Sequence, residues 1–354
     1  MSTIHLISIL LSVFLTFSPI STNDEARVMV VGDVMMHLPI TQSGYDSKTQ
    51  NYQFDSIFQE VKPIFAQADL VIGNLETPLA GEARGFSGYP LFNAPKEIAL
   101  ALKNAGFDVL TTANNHVLDQ HESGIIQTLH YLDQYGLFHT GSFKSQIERE
   151  KPLIINVHNI KMGIIAYTYG TNGLPIPKGK PYLVNILNLN QIKEDVKRLK
   201  ANDVDYILAM IHYGTEYQRL PNQVQKKWTR YLLNSGVDFV LGSHPHVVQT
   251  MELIKGYPIQ TDRGVIYSMG NFLSGQIGEW KDYGIILNLK LEKNRITRKV
   301  RIKEASIIPI YIDRYDEKGK RKYMIRTIFN DVGRIDPTII AKGKELVQHV
   351  MRKQ

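Results

Sequence analysis

The chain has 354 residues, of which 43% are apolar and 21% charged, and its formal net charge is +7. This is enough apolar chain for one large folded domain or two modest ones. The absence of cysteine excludes disulfides, thiolate metal sites and cysteine nucleophiles. The positive charge suits a polyanionic partner or is ordinary solvated charge, and no nucleic-acid motif accompanies it, so we expect no nucleic-acid partner.

The first 24 residues are predicted to form a targeting segment. Residues 6–17 are almost wholly apolar, a length that fits a signal-peptide core and is short for a membrane span. No Lys or Arg precedes them and no clean cleavage site follows, so a signal peptide and an uncleaved membrane anchor both remain open. In either case we expect the folded part to begin near Glu25 and to be exported, to the extracellular face of the membrane or the cell wall.

The first three predicted strands each lead into polar residues. These strands are the apolar runs at 27–31, 69–72 and 108–112. Open α/β folds place their chemistry at the carboxyl ends of strands, although a turn or a helix cap explains any single one of these residues equally well. The polar residues that follow the three strands are Asp33 and His37, then Asn74 and Glu76, and then Asn114, Asn115, His116 and Asp119.

The second half of the chain repeats the pattern. Residues 153–157 and 162–167 are predicted to pair as strands, and two buried strands follow at 205–211 and 239–241. Amphipathic helices are predicted between the strands, at 95–105, 124–135, 189–199 and 222–235, and this alternation indicates an α/β fold. The polar residues after the later strands are His212 and Glu216, then His244 and His246, and finally Asn271.

The sequence Ser-His-Pro-His after the strand at 239–241 is the most distinctive of these strand ends. Proline fixes its own φ and restricts the residue before it, so we expect an extended, stiff segment. Alternation in such a segment would send His244 and His246 to the same side. Imidazole is the commonest metal ligand in proteins, but a His-x-His pair alone fits a metal site and a structural role equally well.

The strand ends together describe a candidate metal site. Two carboxylates, an amide and at least three imidazoles would converge if the strands lie in one sheet. This set of oxygen and nitrogen donors suits Mn, Zn or Fe better than Mg alone, and it is large enough for two ions. A shared carboxylate could bridge ions about 3.5–4 Å apart, which would activate water and bind a substrate oxyanion.

Six motifs between Gly32 and about Ser274 carry a resemblance to a known family. The chain resembles the CapA/PgsA capsule-synthesis family, associated with poly-γ-glutamate, and through it the calcineurin-like metallophosphoesterases. The resemblance implies a four-layer α/β/β/α sandwich over residues 25–314 with a two-metal site between the sheets. Residues 315–354 would form a C-terminal extension with a surface helix. The motifs are GDVMMH, GNLETPL, TTANNHVLD, HYGTEY, GSHPHVVQ and YSMGNF.

The resemblance also implies a role for each candidate residue. Two departures from the phosphoesterase pattern stand out: Met35 occupies the position of a histidine, for which His37 would have to substitute, and the bridging residue is Glu rather than Asp. The implied roles are Asp33 and His246 on one metal, Asn115, His212 and His244 on the other, Glu76 as the bridge and His116 as the group that protonates or stabilises the leaving group. The candidate accessory residues are His37, Asn74, Asn114, Asp119, Glu216 and Asn271.

Two classes of function follow from this interpretation. In the first, the protein is an exported metal-dependent hydrolase or transferase that activates water against a phosphoester or an amide, with His116 as general acid. In the second, it is a non-catalytic component of capsule assembly that binds poly-γ-glutamate or the membrane synthase. The first requires a divalent metal cofactor, and we expect two ions.

Overall fold

The computed structural model describes residues 23–256, 260–329 and 335–352. The apolar core of the predicted targeting segment, at 6–17, lies outside the described residues. Within them, no helix combines the length and the apolarity that crossing a membrane requires.

Sixteen strands and eight helices make up the described part of the chain. The strands are β1 (Asn23–Val34), β2 (Tyr45–Asp46), β3 (Asn51–Tyr52), β4 (Leu70–Leu75), β5 (Val109–Thr111), β6 (Phe138–Thr140), β7 (Leu153–Val157), β8 (Ile160–Thr168), β9 (Tyr206–His212), β10 (Phe239–Ser243), β11 (Met251–Ile254), β12 (Arg263–Ile266), β13 (Asn271–Leu273), β14 (Tyr283–Asn294), β15 (Val300–Glu317) and β16 (Lys320–Thr327). The helices are α1 (Leu38–Ser43), α2 (Lys62–Phe65), α3 (Glu97–Ala105), α4 (His121–Gln134), α5 (Gln146–Glu150), α6 (Leu189–Ala201), α7 (Gln223–Ser235) and α8 (Pro337–Val350).

Two sheets form the centre of the fold. The larger has the order β16-β15-β14-β1-β4-β5-β6, with β13 also paired to β1, and the smaller has the order β11-β12-β10-β9-β8-β7. Strands β1, β4, β5 and β6 run parallel in the larger sheet. Strands β8, β9, β10 and β12 run parallel in the smaller one. The carboxyl ends of parallel strands share one edge of their sheet, so the predicted polar residues collect at that edge of each sheet.

Apolar side chains hold the layers together. Val28 and Val30 of β1 pack with Leu208 of β9 in a cluster between the sheets. Successive side chains of a strand point to opposite faces, so Met29 of β1 packs instead with residues of α3 and α4. Ile207 of β9 likewise packs with residues of α6 and α7. The layers are therefore helix, sheet, sheet and helix, which confirms the predicted four-layer α/β/β/α sandwich.

Local capping explains where the predicted helices stop and start. Helix α3 ends at Gly106, which has a left-handed backbone, and α7 ends in the same way at Gly236. Asn222 caps α7 and forms a capping box with Gln225. These short-range signals lie within the sequence itself, so the four predicted helices between the strands are all present.

The last part of the chain joins the same sandwich. Strand β15 continues to Glu317, past the predicted boundary at residue 314, and β16 pairs with it antiparallel along the edge of the larger sheet. Helix α8 lies in the segment predicted as a C-terminal extension. It packs through Leu346 and Val350 into the cluster between the sheets, so one face of the helix is buried rather than exposed.

Another backbone passes very close to Gly242, which directly precedes the Ser-His-Pro-His segment. A Cβ at this position would lie 1.9 Å from the carbonyl oxygen of Tyr267. Since backbone cannot move aside as a flexible side chain can, we expect Gly242→Ala to lower the free energy of unfolding by at least about 1–3 kcal/mol. Chemical denaturation checks this, with Gly170→Ala as the control because no heavy atom lies within 4 Å of its added Cβ. Equal midpoints for the two variants would contradict the close approach.

Candidate metal centre

The polar residues of both sheets meet at one edge of the sandwich. Asp33 lies near the end of β1, directly across from Asn74 of β4. His212 ends β9 and pairs in register with Ser243, which ends β10. All four side chains are completely buried. Because buried polar groups are costly unless they are paired, this cluster requires partners of its own.

Three groups of side chains place their ligand atoms within 4.8 Å of one another. Two of the groups share Glu76, as the implied bridging role requires, and all their members are buried. The third group includes an exposed carboxylate. The three groups are Asp33, Glu76 and His246; Glu76, His212 and His244; and Glu216, His244 and His246.

Glu76 is the clearest sign that a cation belongs here. Both of its carboxylate oxygens are buried and accept no hydrogen bond from the described residues, although His212 Nε2 lies 3.3 Å from Oε1. His244 Nδ1 is also buried without a hydrogen-bond partner. Burial and the neighbouring charge of Asp33 raise the pKa of Glu76 well above its usual value. A divalent cation would satisfy these atoms at once, so the residues present fit a metal site.

Asp33 is oriented by three donors. Asn74 Nδ2 donates to Oδ1 at 2.8 Å, and the His244 backbone N–H donates to Oδ2 at 3.1 Å. His246 Nδ1 lies 3.3 Å from Oδ2. Burial favours the neutral acid, but the hydrogen bond from His246 and the charges of His212 and His246 outweigh it and hold the pKa of Asp33 below its usual range. Asp33 is therefore a fixed anionic ligand candidate.

His212 directs Nε2 toward the centre, while a contact with Ser243 holds Nδ1 in place. Nδ1 lies 2.9 Å from Ser243 Oγ, while Nε2 lies 2.7 Å from Asn115 Oδ1 and faces Glu76. Asn115 donates its amide hydrogen to Asn172 at 3.0 Å, which turns its oxygen toward His212. Burial lowers the pKa of His212 to about 3. The ring is thus neutral at ordinary pH, the form in which imidazole binds a metal.

The Ser-His-Pro-His segment is not extended, which corrects the sequence expectation. His244 has φ 97° and His246 has φ 57°, both left-handed values that are strained for residues other than glycine. The two imidazoles still converge, with ring centroids 5.8 Å apart, but the strained backbone rather than strand alternation brings them together. Two contacts fix this conformation: His244 N–H donates to Asp33, and the Pro245 carbonyl accepts from Tyr217 N–H at 2.8 Å.

Three asparagines predicted as accessory residues hold the ligand candidates in place. Asn74 contacts Asp33 and also lies 3.3 Å from His212 Nδ1. Asn114 donates to the backbone carbonyl of Leu75 at 2.8 Å, beside Glu76. Asn271 Oδ1 lies 3.1 Å from His246 Nδ1. Such partners set the orientation of metal ligands and the tautomer of histidines.

His116 lies beside the centre but belongs to none of the three groups. Its Nδ1 lies 2.8 Å from Asp119 Oδ2, and its ring packs 4.7 Å from that of Phe92. Burial opposes the charged form, but the hydrogen bond to Asp119 and the charge of Glu76 outweigh it and raise the pKa of His116. A buried, oriented imidazole that holds its proton is suited to general-acid chemistry.

His37 packs beside Phe92 and Gly275, and its role as a substitute ligand stays a prediction. Its Nδ1 accepts a hydrogen bond from Gly275 N–H at 3.1 Å, its ring packs 5.2 Å from Phe92, and it enters none of the three groups. Burial lowers the pKa of His37 to about 4.

Two residues that contact the ligand candidates were not predicted from the sequence, Ser243 and Asn172. Ser243 directly precedes His244 in the motif GSHPHVVQ, so the motif could have indicated it. Asn172 lies in a loop without a motif, so no sequence pattern indicated it.

Comparison with known proteins agrees with the resemblance found in the motifs. Residues 27–276 match the family described as "Bacterial capsule synthesis protein PGA_cap". The PGA biosynthesis protein CapA of Bacillus subtilis (strain 168) is 28% identical over 327 residues, which cover 88% of this chain and 79% of that protein. The capsule biosynthesis protein CapA of Bacillus anthracis is 27% identical over 265 residues, which cover 72% of this chain and 61% of that protein.

The fold also resembles a solved structure. A crystal structure described as a novel phosphatase from Mycoplasma pneumoniae matches with a TM-score of 0.50 and 16% identity, covering 81% of this chain and 94% of that one. At this identity the likeness shows the fold alone. The likeness agrees with the four-layer architecture, and the match over residues 27–276 shows that the chain belongs to the PGA_cap family of bacterial capsule synthesis proteins.

Proposed function

We propose that this protein is an exported metal-dependent hydrolase that cleaves a phosphoester or an amide during synthesis, export or attachment of an anionic capsular polymer, poly-γ-glutamate. The observation that carries the proposal is Glu76, a buried carboxylate without hydrogen bonds that is shared by two groups of ligand candidates. Family membership supports the capsule assignment. The net charge of +7 suits an anionic polymer. The predicted targeting segment supports export, and the membrane synthase is the expected protein partner.

The donor set is suited to two divalent ions of Mn, Zn or Fe. When bound, such ions supply a Lewis acid and lower the pKa of water. The protein holds the ligand candidates in place through the asparagines and through Ser243, so little reorganisation is needed to bind. One ion would take Asp33, Glu76 and His246, and the other would take Glu76, Asn115, His212 and His244.

His116 supplies the proton in this proposal. Asp119 binds Nδ1, so Nε2 is the nitrogen left to donate to a leaving group. Burial of both side chains keeps water from competing for that proton, and Asp119 fixes the orientation of the ring. The pair therefore assists departure of an alkoxide or an amine, which are poor leaving groups without protonation.

Glu76→Gln should abolish stabilisation by metal. In the wild type, Mn²⁺ at 100 times its Kd should raise the free energy of unfolding by about 2.7 kcal/mol. The variant loses the shared anionic ligand, so Mn²⁺ should leave its melting temperature unchanged. Differential scanning calorimetry with and without Mn²⁺ measures this. Asp238→Asn is the control, because Asp238 is also a carboxyl whose burial raises its pKa, to about 7, but it lies outside the three groups. An equal Mn²⁺ shift in Glu76→Gln would contradict the bridging role.

His116→Gln should lower kcat without loss of metal. We expect a loss of about 10²–10⁴-fold for an alkyl phosphate or an alkyl amide, whose leaving groups need a proton. The loss should be much smaller for p-nitrophenyl phosphate or a p-nitroanilide, whose leaving groups do not. The control is His130→Gln, an exposed histidine on α4. Equal losses of kcat with both kinds of leaving group would contradict the role of His116 as an acid. A metal-loaded wild type that cleaves neither the phosphates nor the amides would favour the non-catalytic scaffold.

A further inference from the structure

Glu216 is an exposed carboxylate at the solvent side of the metal centre. One of its oxygens lies within 4.8 Å of ligand nitrogens of both His244 and His246. An ion held by either imidazole would therefore have a further anionic oxygen within reach.

The backbone fixes Glu216 beside the histidines. On one side of it, Tyr213 N–H donates to the carbonyl of Ser243 at 3.1 Å. On the other side, Tyr217 N–H donates to the carbonyl of Pro245 at 2.8 Å. The turn that carries Glu216 is thus hydrogen-bonded at both ends to the segment that carries the imidazoles. The position of the carboxylate is set by the fold, whereas its exposed side chain can still adjust to an ion.

The neighbouring residues after β1 contribute no member to the three groups. His37 directs Nδ1 to the amide of Gly275 and enters none of the three groups. Met35 offers only a thioether, a soft donor that does not suit Mn. Within residues 23–256, 260–329 and 335–352, Glu216 is the one member of the three groups that lies outside the ligand set implied by the resemblance.

His244 gives a second, independent indication. Its Nδ1 is buried and has no hydrogen-bond partner, so this imidazole has unused capacity to bind an ion. An imidazole beside an exposed carboxylate is a common pairing of donors for Mn, Fe and Zn.

We propose that Glu216 is a further metal ligand, which adds a carboxylate oxygen to one of the two divalent ions of the Mn, Fe or Zn class, beside its histidine ligand His244 or His246. The inference rests on the proposed function only in requiring that the centre binds metal. Glu216 is exposed and the other carboxylates of the three groups are buried, so Glu216 would hold the ion from the solvent side. Glu216 thereby sets how tightly one ion is held, rather than whether the buried site exists.

Metal affinity tests this directly. Mn²⁺ is titrated calorimetrically into the purified full-length wild type and into Glu216→Gln, Glu216→Asp and Glu279→Gln. Loss of a ligand should weaken binding of one ion by about 10–100-fold in Glu216→Gln, comparable to the loss of other groups that support a metal. Glu216→Asp keeps the charge but shortens the side chain, so it should also weaken binding. Glu279→Gln makes the same change of charge at another exposed residue and should bind like the wild type.

A spectroscopic measurement separates ligation from charge. Co²⁺ is substituted for Mn²⁺, since its visible absorption reports the number and kind of its ligands. The spectrum should change in both Glu216 variants and stay unchanged in Glu279→Gln. Unaltered affinity and spectrum in Glu216→Gln would overturn the inference. So would a Glu216→Asp protein that behaves like the wild type, because charge alone would then suffice. A wild type that binds no ion at all would overturn the proposed function as well, which distinguishes the two failures.

Discussion

The buried Glu76 carboxylate is the constraint on which the rest of the site depends. It lies between imidazoles from the smaller sheet and a second carboxylate from the larger sheet, and within the described part of the chain no group donates a hydrogen bond to it. An isolated buried charge of this kind is strongly unfavourable, and proton uptake relieves it only in part. A shared divalent cation would supply the missing partner, which gives a physical reason for the surrounding ligand candidates to converge.

The two sheets contribute different halves of this arrangement. Asp33 and Glu76 come from the parallel strand ends of the larger sheet, whereas His212 and the Ser-His-Pro-His segment come from the smaller one. The hydrogen bond from His244 N–H to Asp33 links the two halves directly. Packing of the two sheets therefore brings the ligand candidates together. The asparagines beside them then fix their orientation.

The sequence was sufficient for the strands that lead into Asp33, Glu76, His212 and His244, for the helices between them and for the convergence of their ends, because apolar runs and caps are local signals and parallel strand ends share an edge. The sequence was not sufficient where contacts between distant residues determine the local conformation. The proline rule predicted an extended backbone at His244, but the contacts with Asp33 and Tyr217 hold it in a left-handed conformation. Asn172 orients Asn115 although 57 residues separate them, and the Gly275 N–H donates a hydrogen bond to His37. No local sequence pattern predicts either contact.

Elemental analysis of the purified protein tests the central claim most directly, with a His244→Ala/His246→Ala double variant measured beside it. Both proteins are incubated with Mn²⁺ or Zn²⁺ and freed of unbound metal before measurement. We expect one or two ions per chain in the wild type and a clear loss in the variant, because both groups that share Glu76 lose an imidazole. A wild type that stays free of metal, or a variant that retains all of it, would contradict the account.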